Sequence, residues 1–272
     1  MRRKRTHAMT LAILQARMSS SRLPGKVLKP VLGEPMILRQ IERIHQARWI
    51  DRLVVASSTD TSDDVLAAVC EARGVECVRG SLEDVLDRFY RVARKLAPAH
   101  VVRLTADCPL LDPPVMDDTI AFHLEGGYDY TSNALDVLTF PNGLDVEVMR
   151  FECLERAWRE ARLPSEREHV TPYFYNHPEL FRLGAYCGEP DFSHMRWTVD
   201  EPEDLEFVRR VYAALYPVNA RFRMLDVAAL VEREPELAMI NSQIRRNEGY
   251  ERSLARDREF LAGTHAQRTI RN

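Results

Sequence analysis

The segment TLAILQARMSSSRLPGKVL, residues 10–28, carries most of the information about architecture. Its first part, TLAILQA (10–16), is a short apolar run, the pattern of a strand buried within a sheet. The next twelve residues, RMSSSRLPGKVL (17–28), are polar and punctuated by Pro24 and Gly25, so the chain turns there. In an open α/β sheet ligands bind beyond the carboxyl ends of the strands, which makes this turn the first place to look for chemistry. It carries Arg17, Arg22 and Lys26 among Ser19, Ser20, Ser21 and Gly25. Backbone amides and hydroxyls can bond phosphate oxygens while the cations offset their charge, the combination a triphosphate needs. A solvated basic loop has the same composition, and composition alone does not separate the two. Neither G-x-x-x-x-G-K-[ST] nor G-x-G-x-x-G occurs in it, so a Walker loop and a dinucleotide fingerprint are both set aside.

Downstream, Pro35 opens a helix with Ile37, Ile41 and Ile44 on one face. LVVAS (53–57) reads as a second strand. Thr61, Ser62 and Asp63 offer caps to a helix carrying Val65, Leu66, Val69 and Cys70, and VECV (75–78) is a third strand. Ser81 with Asp84 three residues on resembles a capping box for a helix that buries Val85, Leu86, Phe89, Val92 and Leu96. HVVRLT (100–105) supplies the next strand. This alternation predicts an α/β fold: a Rossmann-like, doubly wound, mostly parallel sheet with helices on both faces. Beyond it the regularity weakens. Residues 128–132 and 144–149 read as strands, the latter alternating Leu144, Val146 and Val148 against Asp145 and Glu147. Helices are expected at about 151–162 and 168–176, a strand around 181–186, and a helix over 202–215. Past Phe222 the chain reads as helical and increasingly charged, and its last stretch loses periodicity.

Bulk properties narrow the function classes. With 45% hydrophobic and 29% charged residues among 272, the chain is an ordinary globular one, most simply a single large domain. A net charge of −3 provides no global field for nucleic acid or an anionic membrane, so neither is expected as a partner. No apolar run is long enough to span a bilayer, and residues 1–9 are basic without a signal peptide's apolar stretch, which predicts a cytoplasmic protein. Cys70, Cys77, Cys108, Cys153 and Cys187 lack zinc-type spacing and read as reduced packing residues.

The opening segment also carries a resemblance. LQARMSSSRLPGKVLKPVLGEPMI is similar to the first motif of the cytidylyltransferases that activate sugar acids, and most closely to the spore-coat polysaccharide biosynthesis protein SpsF family. VRGSLEDVLDRFY, RLTADCPLLDP, PNGLDVEVM, EREHVTPYFY, RWTVDEPEDLEFV and RRNEGYERSL resemble further segments of that family in the same order, over residues 10–255. The resemblance implies a fold of the nucleotide-diphospho-sugar transferase type and transfer of CMP from CTP, with magnesium, to a sugar acid or sugar-phosphate acceptor. Arg17, Ser20, Ser21, Arg22 and Lys26 would hold the triphosphate, with Ala16 near the nucleoside and Arg79, Gly80 and Ser81 by the base. Ser81 can serve as a helix cap at the same time.

RLTADCPLLDP places Asp107 just beyond a strand, where one carboxylate facing a triphosphate suits magnesium. The resemblance marks Asp107 as a metal ligand and Asp200 as a second one. Read without it, Asp200 is the N-cap of the helix that Pro202 opens. Arg17, Lys26, Asp107 and Asp200 form the expected catalytic set. Asp145 and Glu147, with Glu168, His169 and Thr171, are the acceptor-side candidates, and for His169 a structural role stays open. Cys108 reads as a packing neighbour of Asp107. Tyr173, Phe174 and Tyr175 read as core or dimer packing.

The implied organisation is an N-terminal extension (1–9), a nucleotidyltransferase domain (10–240) whose part at about 128–190 binds the acceptor and pairs two subunits in a homodimer, and a helical tail (241–272). A glycosyltransferase consuming a sugar nucleotide is the main alternative. Such enzymes commonly hold their metal with D-x-D, which this sequence lacks. A nucleotide-binding partner without activity is the other; intact Arg17, Arg22, Lys26, Asp107 and Asp200 argue against it.

Overall fold

The computed structural model describes residues 8–244, 251 and 253–262. The N-terminal basic cluster, most of the RRNEGYERSL segment and the last residues, 263–272, lie outside them.

Strand β1 (Thr10–Gln15) leads through a 3-10 turn at Lys26–Leu28 to a small hairpin, β2 (Pro30–Val31) and β3 (Glu34–Pro35), and then to α1 (Met36–Ile44). The alternation continues with β4 (Arg52–Ser58), α2 (Asp64–Ala72), β5 (Cys77–Gly80), α3 (Val85–Leu96) and β6 (His100–Thr105). After α4 (Pro113–Gly126) come β7 (Tyr130–Ser132), β8 (Glu147–Arg150), α5 (Phe151–Glu160), α6 (Pro164–His169), α7 (Pro172–Asn176) and β9 (Leu183–Ala185). Helices α8 (Pro202–Leu215), α9 (Met224–Arg233) and α10 (Glu236–Met239) come next, and residues 253–262 are helical.

The main sheet has the order β5-β4-β1-β6-β8-β7-β9. Every neighbouring pair is parallel except those made by β8, which runs against both β6 and β7. Alternate residues of the inner strands feed opposite cores, as the period of two requires. Leu11, Ile13, Val54, Ala56 and Val101 pack under α3, α5 and α7, whereas Ala12, Leu14, Val55, Val102 and Leu104 pack under α1, α2 and α4. Each buried aliphatic side chain contributes about 1.5–3 kcal/mol. A third core joins α8, α9 and α10 to the loop before β8 through Trp197, Phe207, Tyr212, Phe222 and Leu144. Helices on both faces of a mostly parallel sheet are the architecture read from the sequence.

The departures have local causes. Val65 is 48% exposed, because α2 turns Leu66 and Cys70 inward. Ser81 is not the cap of α3: Asp84 is, accepting the Asp87 N–H at 2.9 Å, while the Ser81 hydroxyl accepts the N–H of Asp84. The helix expected at 168–176 is two helices, broken at Val170, whose φ of 72° no α-helix contains. Helix α4 has no counterpart in the sequence reading. It buries Asp117, Thr119 and His123 beside Met116 and Ile120, so its inward face does not read as apolar. Asp117 is stable there because it accepts the N–H groups of Arg48 and Trp49 at 2.7 and 3.0 Å.

Candidate active site

The chain passes from β1 outward to β4 and β5 and then returns to the other side of β1 with β6. The strand order therefore reverses between β1 and β6, the point at which an open sheet leaves a crevice above its carboxyl ends. Gln15 pairs with Thr105 at that edge, so Ala16 and Ala106 leave the sheet side by side. A cavity of about 360 Å³ opens there.

One rim is the loop 17–26. Met18 donates its N–H to buried Asp63 at 2.6 Å, and Asp63 also accepts from the Ser57 hydroxyl and the Ser58 N–H. In sequence Asp63 reads as a helix cap. It does occupy the N-cap position of α2 but makes no side-chain cap bond there: Asp60 caps the preceding 3-10 turn at Thr61–Asp63, and the Asp63 carboxylate anchors the loop to the end of β4. The carbonyl of Met18 accepts the N–H groups of Ser20 and Gly25, and Gly25 has φ 68°, which lets the chain reverse into the 3-10 turn carrying Lys26. Ala16, Arg17, Ser20, Ser21, Arg22 and Lys26 all line the cavity.

The opposite rim brings Asp107 and Asp200 together across 93 positions of sequence. Val199 donates its N–H to the carbonyl of Asp107 at 2.7 Å, and the Thr198 hydroxyl donates to the same oxygen. The buried Lys26 ammonium bonds Asp107 at 3.2 Å, Asp200 at 3.0 Å and the Val199 carbonyl at 2.7 Å. Burial works against the charge on Lys26, yet the two carboxylates outweigh it and raise its pKa. Asp107 likewise loses hydration, but Lys26, with help from Thr105, holds its carboxyl down at about 2. Asp200 is also met by Arg22 at 3.0 Å and Arg196 at 3.1 Å. It is not the cap of α8. Glu201 occupies that position, and Asp204 accepts the N–H groups of Asp200 and Glu201, leaving the Asp200 side chain turned into the site. Cys108 is buried, and burial with the neighbouring Asp107 charge pushes its thiol well up, so it stays protonated packing.

A second cavity of about 350 Å³ adjoins the first over β6, β8 and β7, sharing Arg103, Thr105 and His169 with it. Asp145, Glu147 and Thr171 line it, with Asp136, Ser132, Tyr130 and Tyr175. Glu147 is bound by the guanidinium of Arg103 and by the Tyr130 hydroxyl at 2.6 Å. Arg103 in turn donates to the Gln15 side chain, linking the two cavities. His169 bonds the Ser253 hydroxyl at 2.9 Å; burial first, and then Arg103, pull its pKa down to about 4, so the imidazole is neutral at pH 7. Glu168 stands in the first cavity, bound by Arg256 and Ser253 of the C-terminal helix and 3.9 Å from Arg17. Tyr173 and Phe174 are core residues, whereas Tyr175 faces the second cavity.

Arg79, Gly80 and Ser81 do not line either cavity. Arg79 donates to the carbonyls of Ser58 and Asp60 and pairs with Asp64 at 2.7 Å, so it ties the ends of β4 and β5 together from behind. Arg88, Arg103 and Arg256, none of which the sequence reading singles out, all line the first cavity. A signal existed for Arg88: it falls on the α3 face otherwise made of Val85, Leu86, Phe89 and Val92, an odd place for a charge. The first cavity thus sets Arg17, Arg22, Lys26, Arg88, Arg103 and Arg256 against Asp107, Asp200 and Glu168, a cationic basin with two carboxylates converging at one end.

Among the described residues no helix is long and apolar enough to cross a membrane, and no group of three or more His, Cys, Asp or Glu gathers as a metal cage. Asp107 and Asp200 nonetheless converge on one cation, and hard carboxylate oxygens suit magnesium, which completes its shell with water and phosphate rather than with protein.

The profile of a family described as Cytidylyltransferase matches residues 11–221. The spore coat polysaccharide biosynthesis protein SpsF of Bacillus subtilis is 38% identical over 209 residues, covering 74% of this chain and 85% of that protein. A cytidylyltransferase structure from Leptospira borgpetersenii superimposes with a TM-score of 0.81 at 30% identity, over 88% of this chain and all of that one. The fold also matches CMP:2-keto-3-deoxy-manno-octonic acid synthetase complexed with CTP, with a TM-score of 0.58 at 18% identity over 76% of this chain and 99% of that one. The chain, an α/β nucleotidyltransferase enzyme, belongs to the cytidylyltransferase family.

Proposed function

We propose that this protein transfers CMP from CTP to a hydroxyl of a sugar, sugar acid or related polyhydroxylated acceptor, releasing pyrophosphate, as a step in surface glycan synthesis. The observation that carries the reading is the basin itself: cations on a glycine-turned loop face a carboxylate pair at the sheet's switch point. Ser20, Ser21, Arg22 and Lys26 bind and align the triphosphate, and Arg22 and Lys26 offset charge as it moves onto the departing pyrophosphate. Asp107 and Asp200 would hold magnesium, which when bound supplies further charge stabilisation at the phosphates.

The second cavity, built by the part of the chain at about 128–190 with β6, is the acceptor side. Asp136, Asp145 and Glu147 there accept hydrogen bonds from hydroxyl groups. In the transfer the acceptor oxygen forms a bond to the α-phosphorus, the bond from that phosphorus to the β-phosphate oxygen breaks, and the acceptor's proton passes to solvent. Neutral His169, at the junction of the cavities, orients the acceptor and is a weak base. The test is pyrophosphate release with magnesium, each nucleoside triphosphate in turn and a panel of sugars, sugar acids and sugar phosphates. Release with CTP and one acceptor class supports the reading. Consumption of a sugar nucleotide without pyrophosphate release overturns it.

A further inference from the structure

Arg88 is 3% exposed, and its Nε and Nη1 have no hydrogen-bond partner among the described residues, although the side chain lines the nucleotide cavity. A buried guanidinium without acceptors is costly, and evolution rarely leaves one unless something else completes it. The cost is visible in its pKa, lowered to about 10 by burial and then by the nearby Arg17. The fold also makes room for it. A Cβ on Gly80 would stand 2.7 Å from the Arg88 Cγ, so the glycine at the end of β5 is what lets this side chain lie across the strand ends.

Its place along the cavity narrows what completes it. Lys26, Arg22, Asp107 and Asp200 cluster at the β6 end, next to the acceptor cavity, and this is where phosphates belong. Arg88 lies towards the other end, against β5 and β4 and near Arg17, and the apolar Val85 and Ala16 line the same cavity. Apolar side chains beside unpaired guanidinium donors suit the face and acceptor edge of a nucleobase better than a phosphate.

We propose that Arg88 reads the base, donating from its guanidinium to the acceptor edge of a pyrimidine and so selecting cytosine over uracil. Cytosine presents O2 and N3 as adjacent acceptors, whereas uracil places an N3–H donor on that edge. Arginine has donors and no acceptor, so uracil sets one N–H against another. The preference for CTP then has a physical source within α3, and Gly80 acts on the base through Arg88. This inference rests on the nucleotide reading of the cavity.

The experiment is titration calorimetry of the full chain with CTP, UTP and pyrophosphate in magnesium buffer, for wild type, Arg88→Met and Arg88→Lys, with melting curves for each. The wild type should prefer CTP over UTP. Arg88→Met should weaken CTP binding by about 10- to 100-fold, the loss of a charged hydrogen bond, while UTP and pyrophosphate change by about twofold or less. Arg88→Lys should recover part of the preference, and neither variant should melt appreciably lower, since each keeps the apolar stem and Met removes an unpaired charge. Equal weakening of CTP, UTP and pyrophosphate would make Arg88 a phosphate ligand and overturn the proposal. So would an unchanged CTP preference, or a collapse of folding in both variants. Absence of CTP binding by the wild type is a different result, which sinks the functional reading instead.

Discussion

Replacing Lys26 with Met tests how the site is held together as well as how it binds. The ammonium bridges Asp107 and Asp200 at 3.2 and 3.0 Å, and Asp107 is only 28% exposed. The Asp107 carboxyl sits at about 2 against an ordinary 3.8. At about 1.4 kcal/mol per pKa unit this depression amounts to about 2 kcal/mol of stability. Because the folded pKa lies below the unfolded one, that stability is complete above about pH 4 and is lost as pH falls towards about 2. Lys26→Met should therefore melt about 4–8 °C below wild type at pH 7, with the gap narrowing under acid. Its affinity for CTP should fall about 10- to 150-fold, the worth of a charge-assisted bond. Calorimetry and a melting series between pH 7 and pH 3 read both effects. A variant that binds CTP normally and whose melting curve runs parallel to wild type at every pH rules out this bridging role for Lys26.

Three further outcomes rest on particular contacts. Gly143 has φ 110°, and a Cβ there would lie 2.5 Å from the Thr198 nitrogen, so Gly143→Ala should displace the segment bearing Asp200 and lower both melting temperature and CTP affinity. The His169 imidazole titrates near 4, not at its ordinary 6.5; being depressed, it favours folding above about pH 6.5 and withdraws that support as pH falls towards 4. The turnover profile should accordingly show no His169 limb between pH 6 and 8, and a limb there that His169→Gln abolishes would contradict the assignment. Arg256 reaches the cavity from the C-terminal helix, so Arg256→Ala should weaken CTP several-fold with little change in melting, because its side chain is half exposed. Unchanged affinity would remove the helix from the site.

The parts of the fold legible in the sequence were those whose period was unbroken. TLAILQA and HVVRLT read as strands because both of their faces are covered, and α8 begins where Pro202 announces it. Helix α4 escaped notice because Asp117, Thr119 and His123 are buried through specific hydrogen bonds, which no hydrophobic pattern records. The break at Val170 escaped for a related reason: a β-branched residue gives no warning of a positive φ. In the site, the loop 17–26 announces itself by composition, but Asp107 and Asp200 are brought together by long-range contacts, the Val199 N–H and Thr198 hydroxyl on the Asp107 carbonyl and the Lys26 ammonium between the two carboxylates, which no local pattern records. Arg88 and Arg103 were hidden in regular elements, where a charged residue among apolar neighbours is easily read as a solvated exception. Glu168 lines the first cavity in contact with Arg256 and Ser253 of the C-terminal helix, neighbours more than eighty positions away that no local pattern announces.

Calorimetric comparison of CTP with CMP, in magnesium buffer and with the full chain, bears hardest on whether the basin above β1 and β6 grips a triphosphate. Expected is binding of CTP about 10- to 100-fold tighter than CMP, since only the triphosphate reaches Arg22 and Lys26 with its outer phosphates. Equal affinities for the two nucleotides, or no heat from either, would contradict it.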